Sequence, residues 1–175
     1  MVPMEPGEDI KWTVEWCLEK RVGDDPTVDP YEVIKVPGNL LMYGGASLII
    51  ECLIGNGTAT TAQTLTYLKA SEAYLGVGDS SSAVAATQTD LQAASNKTRK
   101  AMDATYPTHT DGTTSAAASA VWKSTFGTGD ANFAWNEAAL FNGSSGGRML
   151  NRKLVSMGTK TSADTWTLSL TATFA

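Results

Sequence analysis

Glu137 is the side chain whose placement matters most for any chemistry in this sequence. Counting in twos, it shares a strand face with Phe133, Trp135 and Phe141. A carboxylate among aromatic rings is either a catalytic acid or half of an ion pair, because burying it alone costs several kcal/mol. Arg148 and Arg152 follow on the next predicted strand and supply the partner, so structural pairing is the expected role. The enzymatic alternative is a small hydrolase using Glu137 with an aspartate. A glycosidase, however, needs two carboxylates flanking a cleft, and few of the body's other acids stand outside turns. Asp24, Asp25 and Asp29 are close enough to share a calcium ion, since hard cations take several oxygens from a flexible loop. Their spacing fits no EF-hand, and Pro26 and Pro30 make the stretch read as turns, so no metal is expected. His109 is the single histidine and lies in a loop with threonines and a proline; a catalytic triad or a histidine-rich metal site would have to be built around it alone. Gly44-Gly45-Ala46-Ser47 lacks the nucleophile elbow, and Gly76-x-Gly78 lacks the third glycine of a dinucleotide loop. Cys17 and Cys52 form neither a CxxC pair nor a metal spacing, and they read as small, largely apolar side chains. No catalytic residue and no cofactor is expected.

The elements that carry these residues are mostly strands. Trp166, Leu168, Leu170, Ala172 and Phe174 alternate with Thr165, Thr167, Ser169, Thr171 and Thr173, which predicts a strand with one face in a core and the other in water. Ile10, Trp12, Val14, Trp16 and Leu18 alternate in the same way against Lys11, Thr13, Glu15, Cys17 and Glu19. Shorter strands are predicted over 33–36, 73–77 and 120–126. Residues 133–142, 149–157 and 165–174 are read as a meander of three antiparallel strands joined by glycine-bearing turns. Between them, Leu40 to Ile54 is almost wholly apolar, with Asn39 as an N-cap and Gly55-Asn56-Gly57 as the stop. Gly44 and Gly45 cost such a helix about 1 kcal/mol each relative to Ala, so either something packs closely there or the segment is two pieces. Asp90 is placed to cap a weak helix through Leu91 and Ala94. The expected fold is mainly β: an antiparallel β-sandwich with one substantial apolar helix at about 39–54. Residues 1–37 form an acidic N-terminal strand and loop, and 38–175 the sandwich body.

Charge narrows the choice of partners. The net charge is −5, and it resides in residues 1–40, where nine acids face four bases; the remainder is balanced. Nucleic-acid binding needs a basic footprint, which is missing. Lys97, Arg99 and Lys100 form one small basic cluster and Arg148, Arg152 and Lys153 another, each suited to an acidic edge on a neighbouring subunit. No apolar run reaches the ~18–20 residues of a membrane span, and MVPMEPGEDIK has neither the basic start nor the apolar middle of a signal peptide. The expectation is a soluble protein made in a cytoplasm, with no membrane partner. Trp12 and Trp16, flanked by Glu15 and Glu19, are the expected docking residues, because tryptophans are frequent interface anchors. The competing reading puts both rings in the chain's own core.

A resemblance adds to this. Asn132-Phe133-Ala134-Trp135-Asn136-Glu137, Leu140-Phe141-Asn142, Gly146-Gly147-Arg148-Met149-Leu150-Asn151-Arg152-Lys153, Gly158-Thr159-Lys160-Thr161 and Thr165-Trp166 together resemble a C-terminal block of small structural proteins of tailed bacteriophages. Tyr74-Leu75-Gly76-Val77-Gly78-Asp79, then Thr87-Gln88-Thr89-Asp90-Leu91, is similar to the strand and turn that precede that block, and the apolar helix before Gly55 also fits. The resemblance spans roughly residues 38–175. It implies a non-enzymatic virion component, on the capsid exterior or on the tail and its fibres, whose partners are copies of itself and the major capsid or tail proteins. A carbohydrate-binding β-sandwich for host-surface attachment is the alternative, and it calls for exposed aromatic rings on a loop or concave sheet.

Overall fold

The computed structural model describes residues 11–55, 67–113 and 118–174. The first amphipathic segment forms β1 (Trp12–Val22), followed by β2 (Glu32–Pro37), β3 (Leu40–Leu41) and the helix α1 (Tyr43–Ile54). Then come β4 (Tyr74–Gly78), β5 (Lys97–Ala101), β6 (Thr108–Thr110), β7 (Ala118–Phe126), β8 (Ala134–Phe141), β9 (Met149–Thr159) and β10 (Asp164–Phe174). They assemble into two five-stranded antiparallel sheets, ordered β2-β1-β10-β7-β6 in sheet A and β3-β9-β8-β4-β5 in sheet B. The fold is therefore mainly β, a sandwich of two antiparallel layers.

Side-chain alternation builds the interface between the layers. Val14, Trp16 and Leu18 of β1 and Trp166, Leu168, Leu170 and Ala172 of β10 enter one core with Leu75, Val77, Trp135, Leu140 and Leu150 of sheet B. At its centre, Trp135 meets Phe126 and Trp166 edge to face, with ring centroids 4.7 and 4.9 Å apart. Such pairs contribute about 0.5–1.5 kcal/mol beyond their buried area. The predicted wet face of β10 is not uniformly wet: Thr165 and Thr167 are buried, in contact with Asp24 and Arg21.

Three expectations need correction. Residues 133–174 are not a three-stranded meander, because β10 leaves sheet B and pairs with β1 and β7 in sheet A. The free edge of β9 is already taken by β3, with Leu40 opposite Arg152 and Leu41 opposite Asn151. Gly158, at φ +98°, precedes the turn that carries the chain across. The helix is also shorter than 39–54, at 12 residues, and Asn39 does not cap it. Leu40 and Leu41 stay extended to pair with β9, and the Met42 N–H still donates to the Leu150 carbonyl at 3.0 Å, so helix starts only at Tyr43. Its end agrees with the sequence: Gly55 takes the left-handed conformation, while Asn56 and Gly57 lie outside the described residues. Finally, Asp90 caps no helix, since 79–96 is irregular chain laid across the back of sheet B.

Gly45 explains why glycine interrupts α1. A Cβ there would collide with the backbone of Leu150, so the helix lies directly on β9. Gly44 has ordinary room, its nearest neighbour being the Arg148 Cβ at 3.9 Å.

Candidate interaction surfaces and the buried ionic frame

Strict alternation over β8 puts Glu137 on the face of Trp135, but the structure separates them. A register shift between Trp135 and Glu137 sends Trp135, Ala138 and Leu140 into the inter-sheet core. Ala139 and Phe141 turn to the back of sheet B, where they join Met42, Leu91 and Met149 in a second cluster. Opposite Glu137 on β4 stands Gly78, whose missing side chain leaves room for the carboxylate.

There Glu137 meets Arg152 at 2.6 Å, both 0% exposed. Every oxygen is used: the backbone N–H groups of Gln92 and Ala93 donate to the carboxylate at 3.0 and 2.8 Å. Arg152 donates in turn to the Ser82 carbonyl and the Gln88 side chain. Arg148 does not share this site. It pairs with Glu51 of α1 at 2.6 Å, a partner that the sequence reading did not propose and that the lone charge in an apolar helix could have signalled. Both pairs fasten a piece of chain to sheet B that no β ladder reaches.

The basic clusters are engaged within the chain. Asp90 receives Lys97 at 3.0 Å and Arg99 at 2.8 Å. Arg99 lies over the Phe141 ring and donates to the carbonyls of Gly143 and Gly146, pinning the β8–β9 turn. Burial works against the Asp90 charge, but the hydrogen bonds from Arg99 and Lys97 outweigh it and hold this carboxyl below its ordinary range. Lys100 pairs with Asp130 at 2.6 Å, and Lys153 donates to the Pro37 carbonyl at 2.7 Å. Lys160, whose ammonium binds the Gly127 carbonyl and the Asn132 side chain, is held below the usual lysine range by burial.

The remaining candidates are not brought together into a site among the described residues. Asp24 accepts from the hydroxyl and N–H of Thr128, which lower its pKa, and Asp25 closes a turn on Thr27. Among the described residues no group of three potential metal ligands converges. His109 sits on the edge strand β6, exposed. Burial pushes both thiols, Cys17 and Cys52, above their ordinary values, the reverse of what a nucleophile needs.

At the proposed docking strand, Trp16 is corrected: it is 1% exposed and belongs to the chain's own core, because β1 lies inside sheet A between β2 and β10. Trp12, half-buried, stacks on Phe174 at 6.2 Å. Glu19 pairs with Arg21 at 2.8 Å, and Glu15 reaches Lys35 only at 4.0 Å. Ile10 lies outside the described residues.

Two surface features were not anticipated. Along α1 the large side chains Tyr43, Ile50, Leu53 and Ile54 face outward, exposed. Beside the helix a cleft of about 380 Å³ is lined by Tyr43, Ser47, Ala86, Thr87, Thr89 and Met149, among others. Among the described residues no helix is long and apolar enough to cross a membrane. Set beside known proteins the chain stands without a match: no family model, curated sequence or solved structure is significantly similar to it.

Proposed function

We propose that this chain is a non-enzymatic structural component of a tailed-phage virion, mounted on the capsid exterior or on the tail and its fibres and acting through contacts between subunits. The resemblance of residues 38–175 supports the setting. The observation that carries the role is the Glu137–Arg152 pair, whose bonding capacity goes into the backbone around Ser82, Gln92 and Ala93. Ionic groups spent in this way hold the cover of sheet B in place, which suits a building block that works through its outer surface. Its partners are copies of itself and major capsid or tail proteins. The test is sedimentation of labelled protein with purified phage heads and, separately, tails. Saturable binding to one of them is expected; recovery of all the protein in the supernatant in both cases would sink the reading.

The cleft favours a second reading, carbohydrate binding. Tyr43 offers an exposed ring beside the hydroxyls of Ser47, Thr87 and Thr89, a combination suited to stacking on and hydrogen-bonding a neutral sugar. Calorimetric titration with neutral oligosaccharides, repeated on Tyr43→Ala, decides it: binding lost in the variant supports the reading, and no heat from either protein rejects it.

A further inference from the structure

We infer that the outward face of α1 is the contact by which two copies of this chain associate about a two-fold axis. The inference rests on the reading of the protein as an assembly component and names one of its contacts. A helix on the surface of a monomer normally turns a polar stripe to water, and one that is apolar all round is covered all round. On its inner side α1 lies against β9, with Leu48 buried and Glu51 held by Arg148. On its outer side Tyr43, Ser47, Ile50 and Ile54 fall at i, i+4, i+7 and i+11, a single stripe, with Leu53 beside it. Tyr43 is 68% exposed, Ile50 56%, Leu53 77% and Ile54 63%.

Area and charge select the occupant. With ~150–200 Å² for each full side chain, the four leave on the order of 500 Å² uncovered, at the upper end for a patch on a monomer. Two copies burying it against each other remove on the order of 1,000 Å², the threshold of a specific interface. The stripe carries no charge, for α1 has no acid in its first turn and no base in its last, and its Glu51 points inward. A charged partner would find nothing to pair with, whereas a second copy meets an identical uncharged surface without repulsion. Because a two-fold contact uses the same patch twice, residues near its middle meet their own counterparts. Ile50 is that residue.

The test is the mass of the full chain in solution by light scattering and sedimentation. The wild type should run at twice the 18.4 kDa chain mass. Ile50→Glu and, independently, Leu53→Lys should weaken association by about 100-fold or more, with thermal unfolding of the monomer unchanged because both side chains are exposed. Mixing Ile50→Glu with Ile50→Lys should restore the pair. A wild type that stays monomeric up to ~100 μM, or both variants remaining paired, overturns the inference. Particle binding, measured separately, continues to report on the virion role in either case.

Discussion

The two sheets have equal strand numbers and share one core, yet their backs are built differently. Sheet A turns a face of Thr, Ser and scattered charges outward, and among the described residues no helix or strand lies on it. Sheet B carries α1 on β9 and the irregular chain of 79–96, with a small apolar cluster and two buried ion pairs beneath. The difference teaches what ion pairs do here. The ion pairs on the face of sheet A open to water, Glu19–Arg21 and Glu15–Lys35, hold no covering chain in place. A face covered by backbone outside any ladder must satisfy that backbone's N–H and C=O groups, and Glu137 and Arg152 do so from below.

If that account holds, the largest loss should come from Glu137→Gln. It leaves Arg152 buried without a counter-charge and should cost about 3–5 kcal/mol in urea unfolding, with amide exchange rising first over residues 80–93. A loss near zero would mean that the pair is incidental to the cover. The next test sits where α1 touches β9. Gly45→Ala should cost about 1–3 kcal/mol through collision with Leu150, whereas Gly44→Ala should be neutral or stabilise by up to about 1 kcal/mol. Equal effects would show that helix propensity, rather than contact with sheet B, decides both. Acid titration sharpens the comparison further. The Asp90 carboxyl is held below its ordinary value, so it contributes stability above roughly pH 4 that is lost as pH falls through its folded-state value. Asp90→Asn should flatten that acid limb in pH-dependent unfolding. The smallest effect belongs to sheet A: Thr171→Val, on the open back, should stay within about 0.5 kcal/mol by thermal unfolding.

The same contrast decides how much could be read from the amino acids alone. β1 and β10 alternate because each has one core face; β10 was legible to within a residue, whereas β1 runs on to Val22, three residues past the alternation read up to Glu19. β8 is covered on both sides, so its apolar residues do not alternate, and a register shift there reverses the face of Glu137 relative to Trp135. Arg148 and Arg152 were equally legible as its partner, and only the fold separates them: Arg152 goes to Glu137, while Arg148 goes to Glu51, 97 positions away. The crossing of β10 to the other layer was illegible for a related reason: it depends on β3 already occupying β9's edge, a fact held by two residues far upstream. Trp16 followed its own alternation into the core.

The pairing of β1 with β10 also sets an order of events. Cys17 and Ser169, hydrogen-bonded across that seam, are 152 residues apart, while Glu137 and Arg152 are separated by 15. Closing the long loop early is entropically expensive, so the β8–β9 hairpin and its ionic cover should condense first and the β1–β10 seam last. Until that seam closes, β1 beside β2 and β10 beside β7 each leave one edge open on a strand rich in tryptophan and leucine, so this late step should be the one at which nascent chains are most prone to aggregate.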